Sequence, residues 1–160
     1  LKISDNKIIV FDIVTYEAKE PVATINREGS FLLDYSITSK TREIYKACHV
    51  KYTNAKGGKT IEYTFTPDAD KKGKTLEANE QVENIAEAER LAKKKLREKN
   101  SEEITISLSM LGSIALSAGS TVNLKGFHAF DGKYIITKGS HSIGGGYKLR
   151  LDLRRCLSGY

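Results

Sequence analysis

The chain has 160 residues, 39% hydrophobic and 29% charged, and its 26 Lys and Arg against 20 Asp and Glu give a net charge of +6. That is an ordinary soluble globular balance, long enough to bury a real core in one domain or a domain with an appendage. The longest apolar run, Ile8 to Phe11, is far short of the ~20 residues that a membrane-spanning helix requires, and the modest positive charge attracts polyanions without identifying one.

The chain starts Leu1-Lys2-Ile3, with no initiator Met and no signal-peptide pattern, so we expect a piece of a longer protein. Residues 7–14 (KIIVFDIV) read as a strand, apolar and β-branched except at Asp12. Residues 21–25 form a second, shorter extended piece, and residues 31–37 a third strand or an extended connector. Residues 39–45 are expected to make a short helical turn. A hairpin follows. Cys48, Val50 and Tyr52 alternate with His49 and Lys51, and Ile61, Tyr63 and Phe65 alternate with Glu62 and Thr64, across a connection at residues 54–59. Pro67 ends the second strand because it lacks the N–H that a ladder uses, and residues 68–74 read as a polar surface loop.

Residues 84–99 carry the clear helix pattern. Asn84 with Glu87 is an N-terminal capping pair, and Ile85, Ala88, Leu91, Ala92 and Leu96 fall on one stripe. Glu87 and Glu89 near its start and the Lys and Arg at its end match the helix dipole. From Ile104 the chain returns to strand, with Ile106, Leu108 and Met110 facing one way and Thr105, Ser107 and Ser109 the other. Val122 and Leu124 begin the last strands. In the final segment Leu149, Leu151 and Leu153 alternate strictly with Lys148, Arg150, Asp152 and Arg154, so one face meets a core and the other meets water or a partner. Asp131-Gly132 and Gly144-Gly145-Gly146 supply the positive-φ positions of tight strand connections.

No catalytic set converges in this pattern. His49, His128 and His141 are isolated, with no HxH or HExxH, so no metal site and no metal or other cofactor is expected. Ser140, His141 and Asp131 fail as a triad because adjacent strand residues point to opposite faces, and no GxSxG is present. Glu102-Glu103 start a strand without an apolar pocket to raise either pKa. Gly144-Gly145-Gly146 lacks the Lys-Ser/Thr and the helix of a phosphate loop. Cys48 and Cys156 read as small buried thiols, and spacing alone leaves a disulfide between them open. The cluster at residues 90–99 is a dipole-matched, solvated helix end, and its alternative reading is a nucleic-acid-binding site without stacking aromatics.

Several segments, in order, resemble the late control D family of phage tail proteins, in particular the XkdQ-type baseplate hub proteins. They are Asp34-Tyr35-Ser36, Ser39-Lys40-Thr41, residues 59–67 (KTIEYTFTP), residues 73–76 and residues 84–92 (NIAEAERLA). The ending adds Ala118-Gly119, Gly126-Phe127, residues 130–137 (FDGKYIIT), His141, Gly146-Tyr147, Leu149, Leu151, Leu153 and Arg154-Arg155. The resemblance implies a structural role like that of the VgrG hub: a trimer that joins the tail tube to the central spike in a virion or prophage particle assembled in the host cytoplasm. It brings no catalytic residues, membrane partner or specific nucleic acid. It also implies that only a C-terminal part is present, with residues 1–37 an N-terminal strand segment or extension and residues 38–160 a tail-tube-like β domain.

The expected fold is therefore α+β, a mostly antiparallel barrel or sandwich of tail-tube-like type with the helix of residues 84–99 packed across its mouth. The expected function is architectural, with Lys148, Arg150, Asp152 and Arg154 as the candidate subunit-contact strand face. A basic nucleic-acid-binding module and a cell-wall hydrolase are the rival readings.

Overall fold

The computed structural model of the protein describes residues 2–4, 7–9, 12–29, 31–53 and 58–160. In chain order its elements are β1 (Lys2–Ser4), β2 (Lys7–Ile9), α1 (Ile13–Ala18), β3 (Ala23–Asn26), β4 (Leu32–Ser39), β5 (Tyr45–Thr53), β6 (Thr60–Phe65), β7 (Lys74–Ala78), α2 (Ile85–Asn100), β8 (Ile104–Leu111), β9 (Thr121–Lys125), β10 (Gly132–Ile143) and β11 (Tyr147–Arg155). The fold is α+β, dominated by strands with one main helix. Two compact units share the chain, residues 1–39 with 104–156 and residues 40–103 with 157–160.

The first unit is built on a six-stranded sheet in the order β3-β9-β10-β11-β8-β4. Every neighbouring pair is antiparallel except β3 and β9, which run parallel. Alternation decides its inner face: Leu149, Leu151 and Leu153 on β11 pair with Met110, Leu108 and Ile106 on β8, and all are buried. Ile25 of β3 belongs to that same core cluster, and Leu32 and Ile37 of β4 pack against it. Both edge strands thus meet one core, so the sheet curls into a half-barrel. Tyr134 fills its middle, fully buried, with its hydroxyl donating to the Phe130 carbonyl at 2.7 Å. That burial pushes the phenol pKa up.

One predicted strand is shorter than expected. The run of residues 7–14 keeps strand geometry only in β2. Val10 and Phe11 lie outside the described residues, and Ile13 and Val14 open α1. Asp12 decides this locally, because its carboxylate accepts the backbone N–H of Val14 at 3.2 Å and of Thr15 at 3.4 Å. An N-cap outweighs the β-propensity of two branched residues.

The second unit carries the predicted hairpin. Cys48, Val50 and Tyr52 of β5 face Phe65, Tyr63 and Ile61 of β6, while residues 54–57 of the connection lie outside the described residues. β7, within and beyond the predicted loop, adds a parallel strand on the other side of β5. The expected helical turn at residues 39–45 is absent: β4 ends and β5 begins there, and Glu43 takes a positive φ of 62° that breaks any helical run. Helix α2 forms as predicted, with Asn84 Oδ1 accepting the Glu87 N–H at 2.9 Å and the Glu87 carboxylate accepting the Glu83 N–H at 2.8 Å. Its position differs from the expectation. Ala88, Ala92 and Leu96 bury against Cys48, Val50 and Ile61, so the helix covers the three-stranded sheet of the second unit rather than a barrel mouth.

The second unit interrupts a β-hairpin of the first. β4 and β8 pair antiparallel with Ser39 opposite Ile104, and the Lys40 N–H donates to the Glu103 carbonyl at 2.8 Å where the chain leaves and returns. Cys48 and Cys156 are not joined in a disulfide, and Cys48 is fully buried. Desolvation, with the Glu77 carboxylate nearby, holds the Cys48 thiol above its ordinary pKa. In native protein at pH 8, a thiol reagent is expected to modify Cys156 first and to reach Cys48 only when the second unit opens. Peptide mapping over a time course checks the order.

Candidate interaction surface

The outer face of the six-stranded sheet is largely polar. Lys148, Arg150, Asp152 and Arg154 project from it on alternate positions of β11. Across the sheet Arg150 lies between Ser140 of β10 and Ser109 of β8, and Asp34 of β4 follows Ser109. Asp152 sits likewise between Lys138 and Ser107, with Ser36 beyond. The small serines leave a shallow groove of about 200 Å³ lined by Asp34, Ser36, Ser107, Ser109 and Arg150.

The four strip residues differ in state. Lys148 and Arg150 are exposed and make no ion pair among the described residues. Asp152 accepts the Ser107 hydroxyl at 2.7 Å. Arg154 is withdrawn from solvent, its guanidinium against the carboxylate of Glu17. Glu17 is 5% exposed and comes from α1, which lies on this outer face. Thr121 of β9, buried beside it, donates its hydroxyl to the Lys19 carbonyl at 3.1 Å. Glu17 and Arg154 are 137 positions apart, and nothing in the local sequence marks Glu17. The only signal nearby is the Asp12-to-Thr15 capping geometry.

The sheet also exposes apolar side chains near one end. Phe31 is 64% exposed, Leu111 42%, Ile114 88% and Ile143 87%. The Leu111 N–H donates to the Phe31 carbonyl at 2.8 Å and the Gly112 N–H to the Tyr147 carbonyl at 2.8 Å, which places these residues at the same end. Gly112 has no room for a side chain there: a Cβ would stand 2.1 Å from the Tyr147 ring.

The other candidate residues do not come together. His141 stacks on Tyr147 with Nδ1 2.7 Å from the hydroxyl, His49 pairs with Glu77 at 2.8 Å, and His128 Nε2 lies 3.4 Å from Arg27 Nη1. Among the described residues no group of His, Cys, Asp or Glu is arranged to hold a metal ion. Glu102 bonds to Lys40, which keeps its carboxyl below the usual range, and Glu103 pairs with Lys71 at 2.9 Å. In the basic cluster Lys93 is bound to Glu89 at 2.7 Å and Lys95 to Glu80 at 2.5 Å. The hydrogen bonds to these carboxylates hold both lysines above their ordinary pKa. No described helix is long and apolar enough to cross a membrane.

A family model described as YQBQ-like matches residues 12–154. No curated protein matches the chain. Among solved structures, the tail protein from Neisseria meningitidis MC58 aligns with a TM-score of 0.65 at 18% identity, over 86% of this chain and 45% of that one. The 43 kDa tail protein of prophage MuSo2 from Shewanella oneidensis aligns with a TM-score of 0.69 at 12% identity, over 87% and 46%. A chain of the virion of a native gene transfer agent particle aligns with a TM-score of 0.52 at 18% identity, over 88% and 33%. At such identities the likeness is one of fold. This chain spans less than half the length of each of them.

Proposed function

The chain belongs to the YQBQ-like family, and from that premise we propose that it is a structural component of a phage or prophage tail. Its place is the baseplate hub, where it connects the tail tube to the central spike as part of a homo-oligomer, a trimer in the full-length protein. The observation that carries this reading is the fold, which recurs in two solved tail proteins over 86% and 87% of this chain. The late control D and VgrG-like resemblance of the sequence supports the finer assignment. Its work is docking rather than turnover, in a virion or prophage particle assembled in the host cytoplasm.

Subunit contact falls on the outer strip of β11. Lys148 and Arg150 are its available cations, since Asp152 and Arg154 already hold intramolecular partners. Electron microscopy of the intact protein is expected to show trimeric rings, and monomers throughout the micromolar range would sink the reading. Reversing both charges, Lys148→Glu with Arg150→Glu, is expected to weaken self-association roughly tenfold or more in sedimentation velocity. The melting temperature should hardly change, because both side chains are exposed.

The rival nucleic-acid reading has less support, because Lys93 and Lys95 in residues 90–99 are already paired with carboxylates. A steep salt slope of duplex or single-strand binding would revive it.

A further inference from the structure

We propose that α1 is a displaceable strap over one end of the contact strip. In the free subunit Glu17 occupies Arg154, and a carboxylate of a second copy takes its place on association. This rests on the reading of the β11 strip as a subunit contact.

The register marks what the strap covers. Ile135 of β10 lies between Thr121 of β9 and Arg154 of β11, on the sheet's otherwise polar outer face, yet it is 1% exposed. It stays outside the apolar core cluster that fills the inner face. Segment 12–20 lies here: Glu17 meets Arg154, the Lys19 carbonyl accepts the Thr121 hydroxyl, and Tyr16 lies 3.5 Å from where a Gly119 Cβ would stand.

The hold is of an unusual kind for a helix. α1 has six residues, too few to be stable alone, and the residue it buries is a charged one, Glu17. No α1 side chain belongs to the apolar core cluster. A buried ion pair loses hydration on both partners, so its net hold is small compared with apolar packing, and an equivalent carboxylate can replace one partner. Further along the same face of β11, Arg150 and Lys148 are exposed and make no ion pair among the described residues, so the strip keeps cations open to a second copy's carboxylates.

Sedimentation velocity combined with amide exchange tests this on the whole chain. Glu17→Gln frees Arg154, and Asp12→Ala removes the α1 cap while leaving both ion-pair partners in place. Each is expected to expose the amides of residues 12–20 and to tighten self-association about tenfold, and adding Arg154→Met should cancel the gain. Exposed amides with unchanged association, or amides still protected in both variants, would overturn the strap. If the wild type and every variant stay monomeric, the contact-strip reading itself fails, and the strap with it.

Discussion

Leu151→Ala is expected to destabilise the first unit by about 2–5 kcal/mol, the range for truncating a buried leucine whose surroundings relax only in part. Leu151 is fully buried at the centre of β11, opposite Gly139 of β10 and Leu108 of β8. Its Cδ2 lies 3.5 Å from where a Gly139 Cβ would stand, so this glycine leaves Leu151 room over the strand. β10 contributes only hydrogen at that point, so no side chain of that strand can move in to fill the space. Native-state hydrogen exchange should show β8, β10 and β11 losing protection while α2 and β5 keep theirs, because α2 and β5 are in a separate unit with its own core. Equal loss in α2 would mean that the two units unfold as one.

Asn100→Leu should cost the second unit about 3 kcal/mol, although the two side chains have the same branched skeleton. Asn100 is 1% exposed. Its Oδ1 accepts the Tyr45 N–H at 2.9 Å, and its Nδ2 donates to the Tyr45 carbonyl and to the Tyr160 hydroxyl, both at 2.7 Å. Leucine would leave three part-buried polar groups without these partners, at about 1 kcal/mol or more each. Tyr160 also meets Phe65 edge-on at 6.1 Å, so its ring proton resonances give a local NMR signal of release. Tyr160→Phe loses one of the three bonds and should cost correspondingly less. Equal stability of wild type and Asn100→Leu in chemical denaturation would refute this account of the site.

The strands and helix that were legible in the sequence are those whose own pattern determines them. β11 alternates without exception, and α2 has a cap, a stripe and a charge gradient that agree. α1 was hidden because Ile8, Ile9, Val10, Phe11, Ile13 and Val14 together look like one strand, and the break depends on a single capping carboxylate. β7 was hidden because Lys74 to Ala78 continues a polar, glycine-punctuated stretch, and only pairing with β5 makes it a strand. The contact strip could be read as four residues, but not their division. That Arg154 is engaged while Arg150 is open follows from Glu17, far away in the chain. Asn100 falls just past the helix pattern of residues 84–99, and its role depends on Tyr45 and Tyr160, which only the tertiary structure brings to it.

The placing of residues 40–103 between β4 and β8 has a kinetic consequence. Joining Ser39 to Ile104 across an unstructured chain of that length carries a loop-closure penalty, and sheets assembled from distant segments form slowly. Once the inserted module has folded, the Lys40–Glu103 bond holds its two ends side by side, and that penalty has already been met. Zipping of β4 onto β8 then becomes a local event. Folding should run from the insertion outward, and mutations in the α2 core should slow the appearance of the six-stranded sheet.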